Sequence, residues 1–155
     1  MVEGAEETTE TTIPAEFEDL FERKSFAVIG TTLPNGAMHM TVVWIDYDGS
    51  HLLVNSAVGR RKVKNARHNP DVGLAVLDPE TPYRYLWIAG TVTDIVEDGA
   101  ESHAHSLARR YLGVDEYPYL EQDPARIMIK IRPDICHLTF DTRRSSINQF
   151  SVCRL

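Results

Sequence analysis

The sequence predicts a mainly β fold, an antiparallel barrel of six or seven strands with flanking helices. Three observations lead to this prediction. Short apolar runs rich in β-branched residues follow one another closely, most connections between them carry hairpin signals, and only two or three segments have helical periodicity. Hairpin connections make a sheet antiparallel, and closing that sheet into a barrel removes its exposed edges.

The first half of the chain contains three strands in quick succession. They are predicted at residues 25–32, 38–47 and 51–57, after a short helix at about 14–22. Asn35-Gly36, between the first two strands, is a strong hairpin signal because both residues tolerate a positive φ. Asp48-Gly49 provides a second turn before the third strand. These turns predict three antiparallel neighbours.

The second half alternates strands with two helices. A helix from about 59 to 68 is expected to end before Asn69-Pro70, because the residue preceding a proline avoids the helical conformation. A second helix is predicted at 99–112, with Gly113 as its C-cap. The other strands are predicted at residues 71–78, 84–97 (with a bend at Gly90), 126–133 and 134–140.

Composition divides the chain into one domain and two ends. Residues 1–12 are acidic and poor in apolar side chains, so we predict that they are disordered. Residues 13–140 carry the predicted strands and form the domain. Residues 141–155 are polar and lack periodicity, which predicts an irregular tail.

Charge and apolar content exclude several classes of function. A net charge of −7 argues against broad binding to nucleic acids or anionic membranes, which requires an excess of cations over a face. No apolar run approaches the length of a membrane span, and the acidic N-terminus does not resemble a signal peptide. Cys136 and Cys153 are too few for a disulfide framework and are interpreted as free thiols. We therefore expect a cytoplasmic protein.

One segment is strongly basic within this acidic chain. Residues 59–68 follow an apolar strand and the polar pair Asn55 and Ser56, and they contain no acidic residue. They hold five of the 16 Lys and Arg residues, namely Arg60, Arg61, Lys62, Lys64 and Arg67. At a strand-to-helix junction, helix N–H groups, the helix dipole and side-chain cations can converge on one anion. The segment predicts a phosphate site; the alternative is a solvated helix face.

The order of these motifs resembles a known family. The segments that carry the resemblance are residues 26–49, 52–92 and 108–119, and together they span roughly residues 13–140. They resemble the flavin-binding split β-barrel proteins related to pyridoxamine 5′-phosphate oxidase, and most closely the small oxidoreductases that use the deazaflavin F420. The resemblance implies a split barrel and a homodimer with its cofactors at the subunit interface.

The same resemblance implies roles for individual residues. Ser56, Arg61 and Lys62, with Arg60 beside them, would hold the cofactor phosphate. The second strand would line the isoalloxazine ring through Met40, Val42, Val43 and Trp44, and the partner subunit's strand would contribute residues at the positions of Tyr85 and Trp87. Met40 stands where the oxidases often have arginine, so oxidation of pyridoxamine phosphate is not expected. The F420 cofactor carries an acidic oligoglutamate tail, for which Lys64 and Arg67 are the candidate partners.

These features favour a cofactor-dependent enzyme. We expect hydride transfer between F420 and an electron-poor conjugated small molecule, with FMN as the alternative cofactor and a non-catalytic flavin-binding or storage protein as a second alternative. No catalytic side chain is predicted, because the cofactor carries the chemistry. No metal site is predicted: His103 and His105, two positions apart, diverge on a helix. Cys136 and His137 point to opposite faces of a strand.

Overall fold

The computed structural model describes residues 12–123, 125–139 and 152–153. A 3-10 helix, Ala15–Phe21, precedes the sheet, and the two α-helices are α1 (Arg61–His68) and α2 (Ala100–Leu112). The strands are β1 (Phe26–Thr32), β2 (Met38–Trp44), β3 (Asp46–Tyr47), β4 (Leu52–Ala57), β5 (Asp71–Leu77), β6 (Tyr85–Val96), β7 (Arg126–Thr139) and β8 (Val152–Cys153).

The eight strands form one antiparallel sheet that curls into a half-barrel. Their order is β2-β1-β5-β6-β7-β4-β3, and β8 pairs with β7. The edge strand β2 and the strand β4, which lies beside the short edge strand β3, approach one another across the open side without pairing. This arrangement confirms the predicted mainly β fold, a split barrel with flanking helices.

The ends of the chain are only partly described. The predicted disordered segment 1–12 lies outside the described residues except for Thr12. Within the predicted irregular tail, Val152–Cys153 forms the short strand β8, and residues 140–151 and 154–155 lie outside the described residues. No helix among the described residues combines the length and apolar character needed to cross a bilayer.

The predicted second strand is interrupted at Ile45. The backbone N–H of Ile45 donates to the Tyr111 hydroxyl at 3.2 Å, and its carbonyl accepts from the Arg110 guanidinium at 2.9 Å. Side chains of α2 thus take both backbone groups that would otherwise continue the ladder. The interruption separates β2 from β3 and fixes α2 beside the end of β2.

The two strands predicted at 126–133 and 134–140 are a single strand, β7. Pro133 lies within it, opposite Gly90 of β6, where the register between the two strands shifts. A proline lacks a backbone N–H and is tolerated where a ladder is already irregular. A side chain at Gly90 would lie 2.7 Å from Ile131 Cγ2 and 2.8 Å from the Arg132 carbonyl, so the close approach of the strands requires glycine.

The core fills the inside of the curled sheet. Alternate residues of the strands face inward, as the alternating burial along β5 shows. The 3-10 helix closes one end of the barrel with Phe17, Leu20 and Phe21, all of which are buried. These side chains replace water at that end, and burial of an aromatic or leucine side chain contributes about 1.5–3 kcal/mol.

A group of matched charges ties this helix to the sheet. We call Asp19, Arg23, Asp78 and Arg84 the paired cluster. Arg84 donates to Asp78 at 2.9 Å and to Asp19 at 2.8 Å, and Arg23 donates to Asp78 at 3.1 Å. The guanidinium of Arg84 also lies over the Phe17 ring, 4.5 Å from its centroid. The cluster therefore joins the N-terminal helix to the β5–β6 loop.

Candidate functional site

A cavity lies where β4 ends and α1 begins. Its volume is about 280 Å³, and it is bounded by the ends of β2 and β4, the start of α1, one side of α2, the loop after α2 and the first residue of β7. It is lined by Phe26, Val42, Val43, Trp44, Asn55, Ser56, Ala57, Arg60, Lys62, Ala104, Leu107, Tyr117, Tyr119, Asp123 and Arg126.

Three cations face this cavity, and we call Arg60, Lys62 and Arg126 the cavity cations. Among the described residues, Asp123 is the one carboxylate that lines the cavity with them, and it forms a salt bridge with Arg60 at 2.5 Å. Burial lowers the pKa of Lys62, and the neighbouring Arg60 and Arg126 lower it further. Burial likewise lowers the pKa of Arg126. The cavity therefore holds more positive charge than its own carboxylate can neutralise.

The start of α1 adds to this excess. Arg60 is the N-cap residue, and the first turn contains no acidic side chain. Cations near the positive end of a helix dipole are unfavourable unless an anion is also present. Ser56, which is 5% exposed, lines the same part of the cavity, and its hydroxyl has no hydrogen-bond partner among the described residues. An anion would satisfy both the helix end and the hydroxyl.

Arg126 is a site residue that the sequence reasoning missed. Strand pairing places it beside Ala57 at the end of β4. Its Nε donates to the Asn55 side-chain oxygen at 2.8 Å, and its guanidinium lies over the Tyr117 ring, 4.6 Å from the centroid. The sequence signal is weak: Arg126 is the one cation between residues 111 and 129, in a stretch rich in acids.

Aromatic side chains form the other wall. Trp44 stacks on Tyr111, with 4.9 Å between ring centroids and an interplanar angle of 6°, and Tyr117 meets Trp44 edge-on at 6.2 Å. The Tyr111 hydroxyl donates to the Ser25 carbonyl and accepts from the Ile45 N–H. These two hydrogen bonds fix the Tyr111 ring on which Trp44 stacks. One wall is therefore aromatic and the other cationic, which suits a planar ligand that carries an anionic group.

The structure brings together half of the residues proposed from sequence. Val42, Val43, Trp44, Ser56, Arg60 and Lys62 line the cavity. Arg61, Lys64 and Arg67 are exposed on α1 outside the cavity lining, and Met40, Tyr85 and Trp87 lie on the outer face of the sheet. The roles proposed for both sets remain predictions.

The outer face that carries this second set is apolar and continuous. Strand pairing places Val42, Val28, Ala75, Trp87 and His137 in one row across β2, β1, β5, β6 and β7. Its large exposed side chains are Phe26 (49% exposed), Met38 (56%), Met40 (65%), Val42 (66%), Trp87 (43%) and Ile135 (40%). Contiguous apolar surface of this kind marks an interaction site. Phe26 and Val42 belong both to this face and to the cavity lining.

Comparison with known proteins assigns the family. The sequence signature of pyridoxamine 5′-phosphate oxidase matches residues 13–140. The chain belongs to this family. Its core is therefore the flavin-binding split barrel, and the resemblance noted in the sequence is confirmed. None of the curated proteins matches the sequence.

Solved structures of similar fold agree with this assignment. An F420 reductase is 34% identical, with a TM-score of 0.69, and the match covers 80% of this chain and 98% of the reductase. A conserved hypothetical protein from Mycobacterium tuberculosis is 22% identical, with a TM-score of 0.69 and coverage of 96% of this chain and 97% of the other. General stress protein 26 from Bacillus anthracis is 20% identical, with a TM-score of 0.58 and coverage of 78% and 88%. The last two show the fold alone.

Within the family fold, the cavity fits a flavin-like cofactor. The cavity cations and Ser56 suit its phosphate, and the wall of Trp44 and Tyr117 suits its ring. No cluster of three potential metal ligands is found among the described residues.

Proposed function

We propose that this protein is an F420-dependent oxidoreductase that transfers hydride between the deazaflavin and an electron-poor conjugated small molecule. The observation that carries the proposal is the unmatched positive charge of the cavity cations beside an aromatic wall. Similarity to an F420 reductase at 34% identity favours the deazaflavin among the cofactors such a site could take.

The protein's own groups would bind and orient the cofactor. Ser56, Lys62 and Arg126 would hold its phosphate, and Arg60 would join them by releasing Asp123. Trp44 and Tyr117 would pack against the ring and exclude water from it. When bound, the cofactor supplies the hydride chemistry, so no side-chain nucleophile or base is required.

A homodimer would complete the site. The cavity of about 280 Å³ is slightly smaller than the roughly 300–1,000 Å³ typical of ligand sites, so one subunit would enclose only part of a large cofactor. Because Phe26 and Val42 belong to both the outer face and the cavity rim, a second copy on that face would also cover the cavity. Tyr85 and Trp87 lie on the same face and could reach the partner's cofactor.

The state of association tests this arrangement. Met40→Glu introduces a charge on the outer face, where Met40 is 65% exposed, without touching the cavity lining. We expect sedimentation analysis to give a dimer for the wild type and a monomer for this variant. Val114→Glu is the matched control, since Val114 is also exposed but lies after α2. A wild-type monomer at working concentration would refute the dimer.

Titration with F420, FMN and heme in parallel tests the function. We expect the tightest binding with F420 and oxidation of its reduced form in the presence of a quinone or enone. Binding of FMN with little F420 binding would support the alternative of an FMN-dependent oxidoreductase. Binding without turnover would support a flavin-binding or storage protein, and binding of no cofactor would refute the site.

A double charge reversal separates the two cofactors. Lys64 and Arg67 are exposed on α1, beyond the cavity. If they contact the oligoglutamate tail, Lys64→Glu with Arg67→Glu should weaken F420 binding by about tenfold or more and leave FMN binding nearly unchanged. Lys24→Glu with Arg109→Glu changes the net charge equally at other exposed positions. Equal losses for both cofactors would contradict a role in tail binding.

A further inference from the structure

Two histidines of α2 hold the surroundings of Arg126. Asn55, which accepts from Arg126 Nε, lies with its Nδ2 3.2 Å from His103 Nδ1. Tyr117, whose ring lies beneath the Arg126 guanidinium, donates its backbone N–H to His105 Nδ1 at 2.9 Å. Both contacts depend on the histidine ring as a hydrogen-bond partner.

The hydrogen bonds of Asn55 fix the protonation of His103. Asn55 Oδ1 faces Arg126 Nε, which can only donate, and Asn55 Nδ2 faces the Ala100 carbonyl at 2.7 Å, which can only accept. Nδ2 therefore also donates to His103, so His103 Nδ1 carries no proton. The proton is on Nε2, which donates to Asp46 Oδ2 at 3.1 Å.

Asp46 is a carboxylate at any pH at which the protein would work. Burial opposes its ionisation, but hydrogen bonds from His103 and Arg110 outweigh burial and lower its pKa to about 2. It accepts from Arg110 at 2.9 Å as well as from His103. The carboxylate thereby holds the His103 ring in the orientation that presents Nδ1 to Asn55.

The protonation state of His105 follows from a single hydrogen bond. A backbone N–H can only donate, so the bond from Tyr117 requires an unprotonated Nδ1 on His105. Its Nε2 lies 3.7 Å from a Glu101 carboxylate oxygen, one turn earlier on α2. The neutral ring thus fixes the position of Tyr117, on which the guanidinium of Arg126 lies.

We propose that His103 and His105 are positioning residues that hold Arg126 toward the anion of the bound ligand, and that protonating them releases it. The inference rests on the proposed function, in which Arg126 contacts the cofactor phosphate. The charged and titratable groups that face the two rings are Asp46 of β3, Arg110 and Glu101 of α2, Tyr117 of the following loop and, through Asn55, Arg126 of β7.

Protonation of either Nδ1 would break its contact, because the added proton would face another hydrogen-bond donor. A proton on His103 Nδ1 would face the Nδ2 donor of Asn55. Rotating the Asn55 amide would not help, because its oxygen would then face the Ala100 carbonyl and its nitrogen would face Arg126 Nε. A proton on His105 Nδ1 would likewise face the Tyr117 N–H. Once either ring is protonated, Arg126 therefore loses the support on that side.

The test uses asparagine, which places an acceptor oxygen near the position of Nδ1 and does not titrate. The variants are His103→Asn, His105→Asn and the double variant, with His51→Asn as a matched control because His51 contacts Ser50 in the β3–β4 turn. Dissociation constants for F420 and FMN are measured between about pH 5 and pH 8, where histidine changes charge. Far-UV circular dichroism at each pH checks that the variants are folded.

We expect wild-type affinity to fall by about tenfold toward acid, as for loss of one hydrogen bond to a charged group. The double variant should lack this fall, and His51→Asn should retain it. The FMN phosphate itself titrates near pH 6, so the wild type is compared with the double variant at each pH. The same acid-dependent loss in both proteins would overturn the inference.

A second measurement does not depend on any cofactor. The Nε–H resonance of Arg126, assigned by its disappearance in Arg126→Met, should move with pH in the wild type together with the ring protons of His103 or His105. It should stay constant in the double variant. A constant wild-type resonance would refute the positioning role even if cofactors bind. A resonance that titrates in a protein that binds no cofactor would retain the positioning role and refute the proposed function.

Discussion

The paired cluster and the cavity cations both contain arginine, but their pKa shifts have opposite effects. The shifts favour the charged forms in the paired cluster and disfavour them in Lys62 and Arg126. In the paired cluster, the hydrogen bond from Arg84 lowers the pKa of Asp19, and the bond to Asp78 raises the pKa of Arg23. Burial opposes ionisation of Asp78, yet its hydrogen bonds lower its pKa to about 2. Every group there is stabilised in its charged form.

The cavity cations have the opposite balance. Burial lowers the pKa of Lys62 and of Arg126, and Asp123 compensates only partly. The charged forms of these two side chains are destabilised in the protein as it stands. The paired cluster is therefore neutralised by its own members, whereas the cavity cations lack a full counter-charge among the described residues, which is what the proposed cofactor phosphate would supply. Removing one member of each group should therefore have different consequences.

The largest effect is expected in the paired cluster. Arg84→Met takes one guanidinium from Asp78, which is 5% exposed and retains Arg23 as a partner. We expect the free energy of unfolding to fall by about 3 kcal/mol, as for a broken buried ion pair, and cofactor affinity to be unchanged. Urea unfolding and cofactor titration measure the two quantities.

Arg126→Met is the matched change at the cavity. Here we expect affinity for the cofactor to fall by about 10- to 100-fold, since a hydrogen bond to a charged group contributes about 1.5–3 kcal/mol. The free energy of unfolding should change less than in Arg84→Met. If Arg126→Met instead destabilises the fold and leaves binding intact, Arg126 is structural and the comparison fails.

Local sequence patterns were sufficient to predict much of the fold and the residues on one side of the candidate site. Ser56, Arg60 and Lys62 lie within seven consecutive residues, so the strand-to-helix junction that joins them was visible as a pattern. The Asn35-Gly36 hairpin was visible for the same reason, and Gly36 has the positive φ, 85°, that such a turn requires.

The other side of the site depends on pairing between distant strands. Arg126 reaches the cavity because β7 pairs with β4, a register that no local pattern specifies. Met40 illustrates the converse: it is on the predicted strand, but four residues of extended chain place it about 13 Å from Trp44. Pro133 led to two predicted strands because its compatibility with β7 depends on Gly90 of the neighbouring strand.

The third-largest effect that we expect is on the free energy of unfolding in acid. The pKa of Asp78 falls from 3.8 in the unfolded chain to about 2 in the folded protein, so the unfolded state takes up a proton first as pH decreases. Its contribution of about 2 kcal/mol is present above about pH 4 and is lost as pH falls toward 2. Asp78→Asn should lower stability at neutral pH and flatten this decline.

Urea unfolding at several pH values measures this effect, and Asp115→Asn, at an exposed position after α2, is the control. The decline should not vanish in Asp78→Asn, because Asp46 also has a pKa lowered to about 2 and remains. An unchanged pH profile in Asp78→Asn would show that the paired cluster is not stabilised by ionisation of this carboxylate.

The smallest effect distinguishes the cavity cations from the paired cluster most directly. Because the pKa of Lys62 is lowered below 10.5, part of Lys62 is neutral in alkaline buffer just below that value. A bound phosphate would favour the charged form, so cofactor binding should draw a fraction of one proton from solution. Calorimetry in two buffers of different ionisation enthalpy measures this uptake.

Lys62→Met should abolish the part of the proton uptake that is due to Lys62. Subtracting the uptake of the variant from that of the wild type removes any proton that the cofactor itself exchanges. Equal uptake in both proteins would mean that Lys62 does not face the anion, and the excess charge of the cavity would then be directed at the ligand by Arg60 and Arg126 alone.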